Sequence, residues 1–171
     1  MKKSLLFLAL TAIALTSCDV AKPYDTPYEE FSFYLNWGVQ LDSSYDSKTG
    51  KVVKTNKVIE RKPEEYITTF QLPNLEDIYN KVKKMNPYSY GRDFDPFATK
   101  HHIMSNPNID YCLVIDDKII EVQDFPIGVG TDEKTLSSKG KKFIELVYLI
   151  IDTIQASDEW KALPDYEVLY D

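Results

Sequence analysis

The two histidines of the chain stand side by side, His101-His102, in a segment that also carries Asp93 and Asp95. Imidazole and carboxylate together can ligate a transition metal, or act as acid and base around a bound water. Metal ligands must converge on one point, whereas adjacent residues of an extended chain point apart. The sequence has no HExxH, no CxxC and no third histidine, so any zinc-type site on these four residues has to be assembled by the loop itself. A hydrolase or metal-dependent enzyme using His101 and His102 therefore stands as the alternative reading, and no metal or cofactor is assigned.

Other catalytic spacings carry less. Ser89, Ser105, Ser137 and Ser138 lie outside any GxSxG elbow. In a chain with 27 Asp and Glu, paired carboxylates are always available, so their presence decides nothing. Gly128-Val129-Gly130 lacks the third glycine and the strand-to-helix setting of a phosphate loop. Asp42 and Asp46 lack the spacing and closing Glu of a calcium loop, and Asp116-Asp117 reads as turn chemistry. Cys112, inside the apolar run Tyr111 to Ile115, reads as a buried structural thiol. No catalytic residue is assigned.

The remaining concentration is aromatic: Tyr88, Tyr90, Arg92, Phe94, Phe97 and Met104 fall within seventeen residues. Tyr and Arg dominate interface hot spots because they bring large area and a polar handle at little entropy cost. Tyr88, Tyr90, Arg92, Phe94 and Phe97 are thus candidate binding residues for a protein or glycan partner, with Trp37 a further candidate for stacking on a sugar. The competing reading is that these rings fold inward and roof the sheet, as long loops often must.

The elements that position them follow from periodicity. Phe31, Phe33, Leu35, Trp37 and Val39 alternate with more polar residues, as in a half-buried strand. Asp42 to Gly50 is dense in turn formers and Lys51 to Ile59 favours strand, which predicts a hairpin with a long polar tip. Tyr66 to Leu72 reads as a third strand. Asn74 is a natural N-cap, Glu76 and Asp77 suit the first turn of a helix, and Leu75, Ile78, Tyr79, Val82 and Met85 share one face of it. Lys81, Lys83 and Lys84 sit late in that helix, which Asn86-Pro87 ends. Residues 87–109 show neither period, a length typical of functional loops. Tyr111 to Ile115 and Ile119 to Phe125 flank a tight turn as a second hairpin. Lys141 to Gln155 is apolar on most sides and reads as a central buried helix, with Ser157 capping a last short turn that Pro164 stops.

The first residues, MKKSLLFLALTAIALTSC, combine a basic start with an apolar run far shorter than the ~20 residues of a membrane span. Leu15-Thr16-Ser17-Cys18 resembles the lipobox of bacterial lipoproteins. The resemblance implies cleavage between Ser17 and Cys18, a diacylglyceryl thioether on the Cys18 sulfur, and Cys18 as the mature N-terminus. Two or more acyl chains hold a protein stably on a membrane, whereas one does so only marginally. Ordinary cleavage after Ala12-Ile13-Ala14 is the competing outcome. The tail from Phe143 through Trp160-Lys161-Ala162-Leu163-Pro164 to Tyr170 is similar to the end of small bacterial lipoprotein domains with no assigned activity, so no site residue carries over from it.

Taking residues 1–17 as signal peptide leaves 154 of the 171 residues, enough for one core. It also removes Lys2 and Lys3, so the formal charge moves from −7 to −9. Such acidity repels phosphate backbones and anionic headgroups, and the chain lacks the basic stripe that nucleic-acid binding needs, so nucleic acid is an unsuitable partner. With Cys18 lipidated, Cys112 has no partner for an internal disulfide. Residues 18–30, with two prolines and four acids, read as the lipidated Cys and a flexible spacer, and 31–171 as a single globular domain.

The expectation is an α+β domain, an antiparallel sheet of about five strands (two hairpins plus one) with two packed helices. It is a cell-envelope lipoprotein held through Cys18, with the outer membrane or cell surface ahead of the inner membrane. Its expected role is non-enzymatic binding of a protein or glycan, with the hydrolase or metal-dependent enzyme as alternative.

Overall fold

The computed structural model describes residues 21–56, 63–99, 108–128 and 135–165. Cys18, His101, His102 and Met104 lie outside the described residues, as do the ends of several expected elements.

The fold is α+β, as the periodicities predict: two helices packed on one antiparallel sheet. The sheet has six strands, one more than expected. They are β1 (Phe33–Gly38), β2 (Ser43–Asp46), β3 (Lys51–Asn56), β4 (Glu64–Thr69), β5 (Asn108–Ile115) and β6 (Lys118–Pro126), in the order β4-β3-β2-β1-β5-β6. The extra strand, β2, lies inside the stretch expected to be a polar tip. Its Ser43 and Tyr45 alternate inward with the same period of two as any strand, but a serine in an inward position hides the pattern.

Two tight turns replace the long tip. Gly38, Gln40 and Leu41 take positive φ between β1 and β2. Between β2 and β3, Asp46 folds its carboxylate over the turn, accepting the Lys48 amide at 2.9 Å and the Thr49 hydroxyl at 2.9 Å, the usual reason Asp opens such turns. The first strand lies at the seam of the molecule, where Leu35 faces Tyr45 on one side and Leu113 on the other. That row continues to Val52 and Ile120, and all five side chains are buried.

Two helices cover this face. Helix α1 (Leu75–Met85) buries Ile78, Val82 and Met85, and α2 (Ser138–Ala156) buries Phe143, Ile144, Leu146, Val147, Ile150, Ile151 and Ile154. Burying each such side chain stabilises by roughly 1.5–3 kcal/mol, so α2 anchors the core. The helices run antiparallel. Asn74 Nδ2 donates to Thr153 Oγ1 at 3.1 Å at one end, and Lys142 Nζ donates to the Lys84 carbonyl at 3.4 Å at the other. Asn74 is thus the N-cap residue of α1 without capping through its side chain, which is committed to α2. Ser137 does cap α2, accepting the Gly140 amide at 2.9 Å, and Ser157 caps the short α3 (Asp158–Lys161) as expected.

The chain before β1 touches the domain at Tyr24, Thr26, Tyr28 and Phe31, while Asp25, Pro27, Glu29 and Glu30 are exposed. Tyr24 is 4% exposed, the Tyr79 hydroxyl donates to the Thr26 carbonyl at 3.0 Å, and the Thr26 hydroxyl donates to Asp116 Oδ2 at 2.8 Å. The stretch lacks aliphatics but not rings: Tyr24 lies against Tyr88, and Tyr28 and Phe31 against Tyr79.

A Cβ at Gly140 would sit 1.9 Å from the Pro96 carbonyl oxygen, a backbone atom with no side-chain freedom. Gly140→Ala should therefore cost about 1–3 kcal/mol by overpacking and lower Tm by several degrees in thermal melts. Gly91→Ala, whose nearest neighbour is the Asp93 carbonyl oxygen at 3.6 Å, should leave Tm nearly unchanged.

Candidate functional site

The loop after α1 brings the expected binding residues to different places. Tyr90 is 3% exposed, with its hydroxyl donating to the Lys139 carbonyl at 3.0 Å. Phe94 packs edge-on against Tyr90 at 4.7 Å and against Phe143 at 5.8 Å, and Phe97 stacks on Phe125 at 5.7 Å. Burial pushes the Tyr90 hydroxyl far above its usual pKa, so it stays protonated and donating. Tyr88 is half-buried against Tyr24. Of the five, Arg92 alone is fully exposed.

The reason is an additional backbone pairing. The Glu121 amide donates to the Arg92 carbonyl at 2.6 Å and the Phe94 amide to the Glu121 carbonyl at 2.8 Å, so the loop runs parallel along the outer edge of β6. This pairs the β6 edge at Glu121, part of an edge that would otherwise be open to strand addition. It also turns Phe94 inward and Arg92 outward, where Arg92 Nη2 meets Glu121 Oε1 at 3.0 Å.

Glu121 belongs to the face of the sheet that the helices do not cover. From it, the register runs through Cys112, Asn36, Ser44 and Val53 to Ile67 on β4. A neighbouring row holds Ile119, Val114, Tyr34, Asp46 and Lys51. Tyr34 is 39% and Ile67 54% exposed, while Val53, Cys112, Val114 and Ile119 are half-buried. Sequence reasoning passed over Tyr34 and Ile67, although both stand at outward positions of strands with a period of two.

Cys112 was expected to be buried, and the same period explains why it is not: Tyr111 and Leu113 point to the core, so Cys112 must point away. Partial burial raises its thiol pKa, Glu121 raises it further and Arg92 lowers it. Trp37 is inside the fold, its ring 5.9 Å from Trp160, and so does not offer itself to a sugar. Beside that pair Lys54 is buried on the helix face, with Nζ donating to the Pro164 carbonyl at 2.6 Å and lying 5.2 Å from the Trp160 ring. It fixes the C-terminal turn to the sheet.

Asp42 and Asp46 stand at opposite ends of β2, and Asp46 holds its own turn. Asp93 and Asp95 are exposed, and Asp95 Oδ1 accepts the Phe97 amide at 2.9 Å. Among the described residues, no three His, Cys, Asp or Glu side chains form a metal-binding group.

Compared with protein-family models, curated proteins and solved structures, the chain matches none of them. The functional reading rests on the sequence motif and on this geometry.

Alkylation of Cys112 tests the electrostatics of the open face, because the thiolate is the reacting species. Its rate should inflect above the ordinary thiol value of 9.0. Arg92→Ala removes the cation that favours thiolate and should move the inflection up, whereas Glu121→Gln should move it down. The measurement is iodoacetamide labelling of the Cys112 peptide against pH.

Proposed function

We propose that this protein is a non-enzymatic binding module of the bacterial cell envelope, held on the outer membrane or cell surface by lipid on Cys18. It presents the open face of its sheet to a protein partner. The anchor is supported by Leu15-Thr16-Ser17-Cys18 directly after the apolar run. The binding role is carried by one observation, exposed Tyr34 in an unbroken apolar row with half-buried Val114 and Ile119 and beside Cys112, while exposed Ile67 stands with Val53 on the same face beyond polar Ser44 and Asp46 of β2.

Scattered surface apolars need no explanation, but a contiguous set on one face marks an interaction site. The face is a strand surface with a tyrosine in it and the Arg92–Glu121 pair at its margin, a mixture suited to a protein interface with an apolar centre and a polar rim. Small ligands prefer concave pockets. The hydrolase or metal-enzyme alternative draws no support from Asp93 and Asp95, both turned to solvent.

The test is a photo-crosslinking amino acid placed at position 34 of the full chain in cells, with the exposed helix position 155 as control. A covalent adduct of one defined mass should form from position 34 and not from 155. Ile67→Asp should weaken that adduct about tenfold, equivalent to roughly 1.4 kcal/mol of binding, with little change in Tm. No adduct, or the same adduct from both positions, would contradict the proposal.

A further inference from the structure

An acidic chain has little reason to concentrate lysines, yet this one does so at one end of its helix pair. Lys83 and Lys84 lie in the last turn of α1, and Lys139, Lys141 and Lys142 fall at the start of α2, which begins at Ser138. Antiparallel packing brings the two groups together: Lys142 Nζ reaches the Lys84 carbonyl, and Lys139 Nζ reaches the Ser89 carbonyl just beyond α1. Lysines suit the end of α1, but those at the start of α2 oppose its dipole, and that turn holds no acid. Helix stability therefore does not explain them.

The tether arrives at the same end. Tyr24 packs against Tyr88 in the short helical turn Pro87–Ser89, next to the Lys139 contact. Lys22, exposed two residues earlier, adds a sixth cation and pairs with Asp25 at 3.5 Å. Asp116 and Asp117 also border this end, acting on Tyr88 together with Asp25. Among the described residues these lysines share the end with Asp25, Asp116 and Asp117, and with Asp95 beside Pro96 at the first turn of α2, while Lys81 is matched by Glu145 at 3.9 Å. Position 24 lies six residues beyond position 18. At ~3.3–3.6 Å per residue, Tyr24 stays within ~22 Å of the Cys18 backbone in any conformation.

We infer that this lysine-rich end is a docking surface for anionic lipid headgroups, so that the lipoprotein sits on its membrane in one orientation. The inference rests on the Cys18 anchor proposed above. A lipid chain joined to a basic patch is a known route to stable, oriented attachment. Each lysine brought near an anionic surface strengthens binding by roughly fivefold, and the short tether keeps the patch close enough to enter repeatedly the ~8–10 Å over which that attraction survives physiological salt. The overall negative charge conceals this local surplus.

The test uses the full lipoprotein, purified from membranes and reconstituted into vesicles of phosphatidylcholine or phosphatidylglycerol. An impermeant amine-acylating reagent is read lysine by lysine through peptide mass spectrometry. Labelling of Lys83, Lys84, Lys139 and Lys142 should fall about fivefold or more on phosphatidylglycerol and recover in high salt. Lys161, exposed beyond the far end of α2, should not change. The peptide beginning at Cys18 reports the anchor in the same digests. A lipidated Cys18 with equal labelling on both vesicles would overturn the docking surface alone. An unmodified Cys18 would overturn the anchor, and the docking surface with it.

Discussion

A wedge of aromatic rings closes the helical side of the sheet near the β6 edge, and the rest of the molecule is arranged around it. Phe143 of α2 lies between Tyr90 and Phe94 of the loop and Tyr111 of β5, with ring centroids 5.8 to 6.5 Å apart. Each well-placed aromatic pair contributes about 0.5–1.5 kcal/mol beyond its buried area, so the loop is held by packing as well as by its backbone bonds to Glu121. The Tyr90 hydroxyl then fixes the first turn of α2 through Lys139, and Gly140 lets that turn pass Pro96 without a side chain between them. Loop, edge strand and central helix form one interlocked unit.

That arrangement constrains where function can lie. Rings committed to the core cannot also greet a partner, so the aromatic density of residues 88–97 is structural in Tyr90, Phe94 and Phe97. What remains outside is the second face of the sheet, with Tyr34 and Ile67 on it and Arg92 beside it, and the lysine-rich end where the chain enters. These surfaces divide the proposed work: one end meets the membrane while the open face stays available to a partner. The early packing of Tyr24 connects the two roles, because it leaves little free chain between anchor and domain.

The fold class and both helices were legible because burial on one face leaves a period, and the alternation of Phe33, Leu35 and Trp37 or the apolar richness of α2 survives any reading. Three features were hidden for separate physical reasons. β2 was masked by Ser43, a small polar residue in an inward position. Lys54 looks like a surface cation, and only the docking of Trp160 and of Pro164, the latter 110 residues away, makes it a core residue. The direction of the loop rings depends on the pairing of Arg92 to Phe94 with β6, a long-range contact without local signature. Tyr34 and Ile67 stood in plain sight at outward positions, but exposure alone does not distinguish a site from ordinary surface.

The most direct test of the central division between inside and outside is hydroxyl-radical footprinting of the full chain, read residue by residue. Tyr34 and Ile67 should oxidise readily, and Tyr90, Tyr111, Phe125 and Phe143 should be strongly protected, with Phe94 and Phe97 close to them. Oxidation of Tyr90, Phe94 and Phe97 as fast as Tyr34 would contradict the account, because the loop would then face solvent.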